Sequence, residues 1–156
     1  MNKKISFIII CLFFYSCGFK PVFKDNNNTR HSYKKINYYG NNSLVYLLKN
    51  NININEKKDS DGLIANLTIS QTLSTTNKNI YGIPTQEDLV INLQVNIQDK
   101  NEKSIYSDNF SIKKNLTITS NLATDEEIRN TERNNLIKFI SDKIKYKLAT
   151  IISQKM

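Results

Sequence analysis

Glycine is scarce in this 156-residue chain, with four copies in all. No cluster of them can form a glycine-rich loop that cradles phosphate, which excludes the common nucleotide-binding motifs. Histidine is scarcer still: His31 is the one copy. A histidine-based metal site or nucleophile–base pair therefore lacks its material. Cysteine occurs twice, as Cys11 and Cys17. A Ser–Lys or paired-carboxylate site needs no local motif, but nothing in the chain marks one. The expectation is a protein that is not an enzyme, with no cofactor and no metal. Long apolar runs are also rare. The exception is Ile5 to Phe14, which only Ser6 interrupts.

That run follows the short basic start Met1-Asn2-Lys3-Lys4. A basic start and a short apolar stretch are the layout of a secretory signal peptide. A spanning helix is the competing reading. From Ile5 to Ser16 it would rise roughly 18 Å, against a hydrocarbon core of about 30 Å. The run ends in Phe14-Tyr15-Ser16-Cys17, a small residue directly before a cysteine. This resembles the bacterial lipobox, with Cys17 acylated as the new N-terminus and residues 1–16 removed. Cys11 would leave with the signal, so no thiol and no internal disulfide remain.

Removing residues 1–16 from 156 leaves 140, which fits one domain. A chain of that size buries roughly two-thirds of its unfolded surface and needs no disulfide for a core. Lys3 and Lys4 leave with the signal, so the 22 basic residues fall to 20 against 14 acidic ones, a net of +6. Positive charge favours phosphorylated lipid, an anionic membrane surface or nucleic acid. Export excludes nucleic acid. Residues 17–32 hold the acylated cysteine and then, from Lys24 to Ser32, Asn26-Asn27-Asn28 and little apolar surface. They read as a flexible tether to a single domain over residues 33–156.

Tyr33 to Tyr39 is a predicted strand, with Ile36 and Tyr38 on one face. Gly40-Asn41-Asn42 breaks it, and Ser43 is the expected cap of a helix to about Asn50. Leu44, Leu47 and Leu48 share one side of that helix. Asn51 to Gly62 reads as irregular. Three alternating stretches follow, built on Leu63–Leu73, Leu89–Ile97 and Tyr106–Ile118. Period-two patterning means strands with one buried face. Asp99-Lys100-Asn101-Glu102 is a turn between the last two. Ser74 to Glu87 reads as a long loop. Thr124-Asp125-Glu126-Glu127 has the form of a capping box. A helix then carries Ile137, Ile140, Ile144, Leu148 and Ile151 as one stripe. Strand, helix, three strands and a long helix give an α+β two-layer sandwich. Two helices pack on one face of a four-stranded, mostly antiparallel sheet.

The polar face of that sheet reads either as the solvated side of a one-sided sheet or as a hydrogen-bonding contact surface for a polar protein wall or a sugar, with Asn92, Gln94 and Asn96 on its middle strand. Lys113 and Lys114 on the last strand, and Lys78 in the 74–87 loop, are candidate phosphate contacts. Tyr38, Tyr39 and Tyr81 are core edges or contact residues.

Cys17-Gly18-Phe19-Lys20-Pro21-Val22-Phe23 and the order of elements resemble the LPS-assembly lipoprotein LptE family, especially its alphaproteobacterial members. The resemblance implies an outer-membrane lipoprotein, lipid-anchored on the periplasmic side. Gly18 after the cysteine, rather than Asp, agrees with outer-membrane sorting. The implied partners are an LptD-type β-barrel, which the protein would plug, and lipopolysaccharide, which it would help assemble in the outer leaflet. In the family, basic residues near the loop before the third strand and near the start of the last helix contact the lipid. Here Lys78 lies in that loop, while the approach to the helix carries acids. The alternative reading is a lipoprotein adaptor of another envelope machine, for secretion or efflux.

Overall fold

The computed structural model describes residues 33–54, 56–57, 62–119 and 121–154. The signal sequence, Cys17 and the tether to residue 32 lie outside the described residues. The chain runs β1 (Lys35–Gly40), α1 (Asn42–Ile52), β2 (Ile64–Lys78), β3 (Pro84–Gln98), β4 (Ser104–Thr117) and α2 (Leu122–Gln154). The four strands form one open sheet in the order β1-β2-β3-β4. β1 and β2 are parallel, joined through α1, and the other two pairs are antiparallel. Both helices pack on the same face, α1 over β1 and β2, α2 over β3 and β4. This is the two-layer α+β arrangement that the alternation and the helical stripes imply.

Alternate residues of each strand supply the core. Ala65, Leu67 and Ile69 of β2 stand in register with Ile97, Val95 and Leu93 of β3, and all six are buried. Ile137, Ile140, Ile144 and Leu148 close this face from α2, and Leu44, Leu48 and Ile52 close it from α1. α2 has 33 residues, a length of roughly 50 Å. β3 has 15, roughly 45 Å at the rise of a strand. One helix therefore runs the length of the central strand. Tyr33 is wholly buried, and its hydroxyl donates to the Leu148 carbonyl at 3.1 Å. That bond ties the start of the domain to the end of α2.

Three local expectations are corrected. The cap of α1 is Asn41, not Ser43: the Asn41 side chain accepts from the Ser43 N–H at 2.9 Å. The helix also continues through Ile52, because Ile52 adds a third buried residue to the Leu44–Leu48 face. Thr124 does not cap the last helix. Asn121 does, accepting from the Ala123 and Thr124 N–H groups at 3.1 and 3.3 Å. Asp125 is buried and accepts instead from the backbone N–H and hydroxyl of Thr119, both at 2.8 Å. The acid in the first turn anchors the end of the sheet to the helix. Finally, most of the stretch from Ser74 to Glu87 is strand. β2 and β3 stay paired to Lys78 and Pro84, leaving a loop of residues 79–83. Residues 72–78 are exposed on both faces, so no apolar alternation announced them.

Candidate functional site

The sheet face turned away from the helices is built from amides and hydroxyls. Along β3 it carries Asn92, Gln94, Asn96 and Gln98. In register beside them stand Ser70, Thr68 and Asn66 of β2, and Ser111, Asn109 and Ser107 of β4. The pleat places these residues opposite the buried Ile91, Leu93, Val95 and Ile97. At one end the amides join across strands. Asn37 donates to Asn66 at 2.8 Å, and Asn66 donates to Gln98 at 3.1 Å. Asn92 and Asn96 are half-buried and Gln94 is exposed. The Asn96 Oδ1 is buried and accepts no hydrogen bond within the described residues.

On β3 and β4 the charge of this face is confined to one pair, and at its β1 edge the exposed Lys35 stands on the same side as Asn37. Lys113 Nζ stands 2.5 Å from Asp88 Oδ2, and the Asn115 amide donates to Asp88 Oδ1 at 3.0 Å. The lysine first, then the amide, hold the Asp88 carboxyl below the usual carboxylate range. The face therefore offers a field of neutral donors and acceptors. Among the described residues no three His, Cys, Asp or Glu side chains gather as a metal site requires.

The structure does not bring the three candidate lysines together. Lys113 lies on the polar face and is engaged by Asp88. Lys114, its neighbour in sequence, points to the helix side, in register with Leu89. Lys78 is not in a loop but is the last residue of β2, paired with Pro84. From position 84 to position 90, where Lys113 pairs, is roughly 20 Å along β3. One phosphate cannot touch all three.

One feature went unread in the sequence, and a second was read only through Tyr81. The first is basic residues on α2 itself rather than on its approach. Arg129 makes a bidentate pair with the buried Glu87 of β3, Nε to Oε2 at 2.8 Å and Nη2 to Oε1 at 3.0 Å. Four residues on, the Arg133 Nε is buried and donates to nothing within the described residues. Helical spacing alone would have put the two on one face.

The second feature is the tip of the β2–β3 hairpin, where Ile80 is 91% exposed and Tyr81 80%. Ile83 beside them is also exposed, as is Leu122 at the start of α2. The tip is held by Asn79. Its side chain accepts from the Tyr81 and Ile83 N–H groups at 2.9 and 3.0 Å. Gly82 adopts φ +77°, the left-handed conformation that closes the turn inside the Asn79–Ile83 backbone pair.

Neither a protein-family model nor a curated protein matches this sequence. Solved structures do. Rare lipoprotein B from Shewanella oneidensis superposes with a TM-score of 0.59 at 11% identity, covering 78% of this chain and 99% of that one. A putative lipoprotein from Caulobacter crescentus gives 0.55 at 13%, over 78% and 92% of the two chains. A minor lipoprotein from Acinetobacter baumannii gives 0.59 at 13%, over 77% and 93%. The fold is shared with these lipoproteins. The match takes in nearly all of each neighbour, so the likeness extends to the whole sheet with both helices rather than to a common substructure.

Proposed function

We propose that this protein is a lipid-anchored outer-membrane lipoprotein that plugs an LptD-type β-barrel from the periplasmic side and assists lipopolysaccharide assembly. The observation that carries the reading is the sheet face of neutral amides and hydroxyls on β2, β3 and β4, where the lysine of β4, Lys113, is neutralised by Asp88. The lumen of a large barrel is polar, and a body seated in it must answer hydrogen bonds rather than present a greasy patch. The lipobox-like Ser16-Cys17 and the shared fold of the bacterial lipoproteins support the anchor. The protein's role is mechanical: it occupies the barrel and supports it. The candidate lysines are dispersed, which favours this supporting role over a single lipid-phosphate pocket.

The test uses Asn92→Leu with Asn96→Leu beside Lys78→Ala with Lys114→Ala. The leucines keep the strand but leave partner groups unsatisfied, at about 1–3 kcal/mol each. Copurification with the barrel is expected to fall in the asparagine variant and to persist in the lysine variant, since exposed charges contribute little to a broad interface. Loss of the barrel in the lysine variant alone would reverse the assignment of faces. Recovery of a secretion or efflux component in place of an LptD-type barrel would favour an adaptor.

A further inference from the structure

Two observations meet at the outer edge of β4. The first is the edge itself. Among the described residues β4 pairs with β3 alone, so its other side carries backbone N–H and C=O groups with no strand opposite them. The second is a groove of about 260 Å³ between β4 and α2. Phe110, Ser111, Ile112 and Phe139 line it, and Phe139 remains 53% exposed. Lys143 Nζ stands 5.5 Å from the Phe139 ring centroid.

The order of side chains along β4 says what fits there. On the helix side the strand reads Tyr106, Asp108, Phe110, Ile112, Lys114, Leu116. Consider a second copy laid antiparallel with Ser111 opposite Ser111. Phe110 then faces Ile112 of the second copy, Asp108 faces Lys114, and Tyr106 faces Leu116. On the other side Asn109 meets Lys113, and Ser107 meets Asn115. Each pair is apolar with apolar, acid with base, or polar with polar, the combinations that stabilise neighbouring strands.

No adjacent register does this. A centre at Phe110 sets Asp108 against Ile112 and Lys114 against Tyr106. A centre at Ile112 sets Asp108 against Leu116 and Lys114 against Phe110. A centre between Phe110 and Ser111 brings those two face to face, and one between Ser111 and Ile112 sets Phe110 against Lys113. Charges on an edge strand ordinarily oppose pairing. Here they oppose the neighbouring registers centred on Phe110 and Ile112, and the mismatch of apolar with polar side chains opposes those centred between residues. The centre of the Ser111 register lies where the strand residues Phe110 to Ile112 and the exposed Phe139 line one groove.

We propose that β4 is a self-association edge. Two copies pair antiparallel about Ser111 and join two four-stranded sheets into one. The twofold axis stands perpendicular to the sheet, so both α2 helices lie on the same side and the two Phe139 side chains flank the axis. This goes beyond the barrel reading and does not depend on it, because purified protein alone tests it.

The experiment uses the full chain with Cys11→Ser and Cys17→Ser, in mild detergent, followed by sedimentation equilibrium. A dimer is expected at tens of micromolar. Asp108→Lys should raise its dissociation constant at least about tenfold, since two symmetric acid–base pairs become like-charge pairs. Asp108→Lys combined with Lys114→Asp should restore it. Ser111→Cys should oxidise to a covalent dimer. Asn109→Cys should not, because its two copies lie four residues apart along the strands, roughly 13 Å, beyond disulfide reach. A monomer at every concentration, a dimer indifferent to the charge changes, or crosslinking through Asn109 in place of Ser111 would each overturn the proposal.

Discussion

The two hairpin turns have the same skeleton and opposite chemistry. At one end of β3, Asn79 N–H donates to the Ile83 carbonyl and Gly82 N–H to the Asn79 carbonyl, both at 2.9 Å. At the other end, Asp99 N–H donates to the Lys103 carbonyl and Glu102 N–H to the Asp99 carbonyl, both at 3.0 Å. Asp99 Oδ1 accepts from the Asn101 and Lys103 N–H groups at 2.9 and 3.0 Å, as Asn79 Oδ1 does from Tyr81 and Ile83. The fourth position has positive φ in both, Gly82 at +77° and Glu102 at +60°. So the turn needs a short side-chain acceptor at its first position and tolerance of the left-handed region at its fourth. The remaining positions answer to their surroundings. One turn fills them with Lys100, Asn101 and Lys103, the other with Ile80, Tyr81 and Ile83. Folding does not require the apolar set, so the tip is free to answer to something outside the domain.

That contrast has force only if the rest of the molecule obeys the opposite rule, in which buried side chains carry the fold. Ile144 is wholly buried in the middle of the α2 stripe. Ile144→Asp is expected to prevent folding, because an unpaired charge would enter the core. Ile144→Ala is expected to cost about 2–4 kcal/mol in urea denaturation. Parent-like melts for both variants would mean that α2 is peripheral, and exposure would then no longer separate folding residues from contact residues.

Core positions such as Ile144 were legible because burial imposes a period. Leu67, Leu93 and Ile97 alternate with polar neighbours, and the α2 stripe recurs every three or four residues. Asp99-Lys100-Asn101-Glu102 was legible because it interrupts two such patterns with four polar residues. The Asn79 turn was not. The strands entering it have no buried face at positions 72–78, so the pattern that marks a strand fades before the strand ends. The caps failed for a different reason. Ser43 and Thr124 each follow an asparagine by two or three residues, and the asparagine takes the capping role. Several plausible caps stood in a row, and only three-dimensional geometry chose among them. The candidate asparagines of β3 share the predicted face because a strand alternates. Lys113 and Lys114 are neighbours on the last strand, and the same alternation puts them on opposite sides.

The shared skeleton of the turns can be tested by removing its acceptors. Asn79→Ala and Asp99→Ala each delete two side-chain-to-backbone hydrogen bonds. Each is expected to lower stability by about 1–2 kcal/mol. Asp99→Asn should be nearly neutral, since Asn79 does the same work at the other end. Urea melts of the three variants decide. A cost at Asp99→Ala with none at Asn79→Ala would show that something other than the acceptor shapes the tip.

The smallest expected effect on stability bears most on function. Ile80→Lys, Tyr81→Asn and Ile83→Lys together would give the tip the side chains of the other turn, with Asn79 and Gly82 retained. Substitutions at exposed positions away from caps and strained backbone usually change stability by less than about 0.5 kcal/mol, and Ile80 and Tyr81 cover almost nothing within the described domain. The melt of the triple variant should therefore overlay that of the parent. Binding should not be so indifferent. Under the barrel reading, the tip stands at the end of the sheet, where a seated plug meets the barrel. Each apolar side chain buried there would contribute roughly 1.5–3 kcal/mol, so losing even one contact should weaken association about tenfold or more. The measurement is barrel copurification beside the denaturation midpoint of the same protein. An unchanged midpoint with reduced copurification is the expected pair. A reduced midpoint would mean that the tip packs against its own chain, and an unchanged pair would make its apolar side chains spectators.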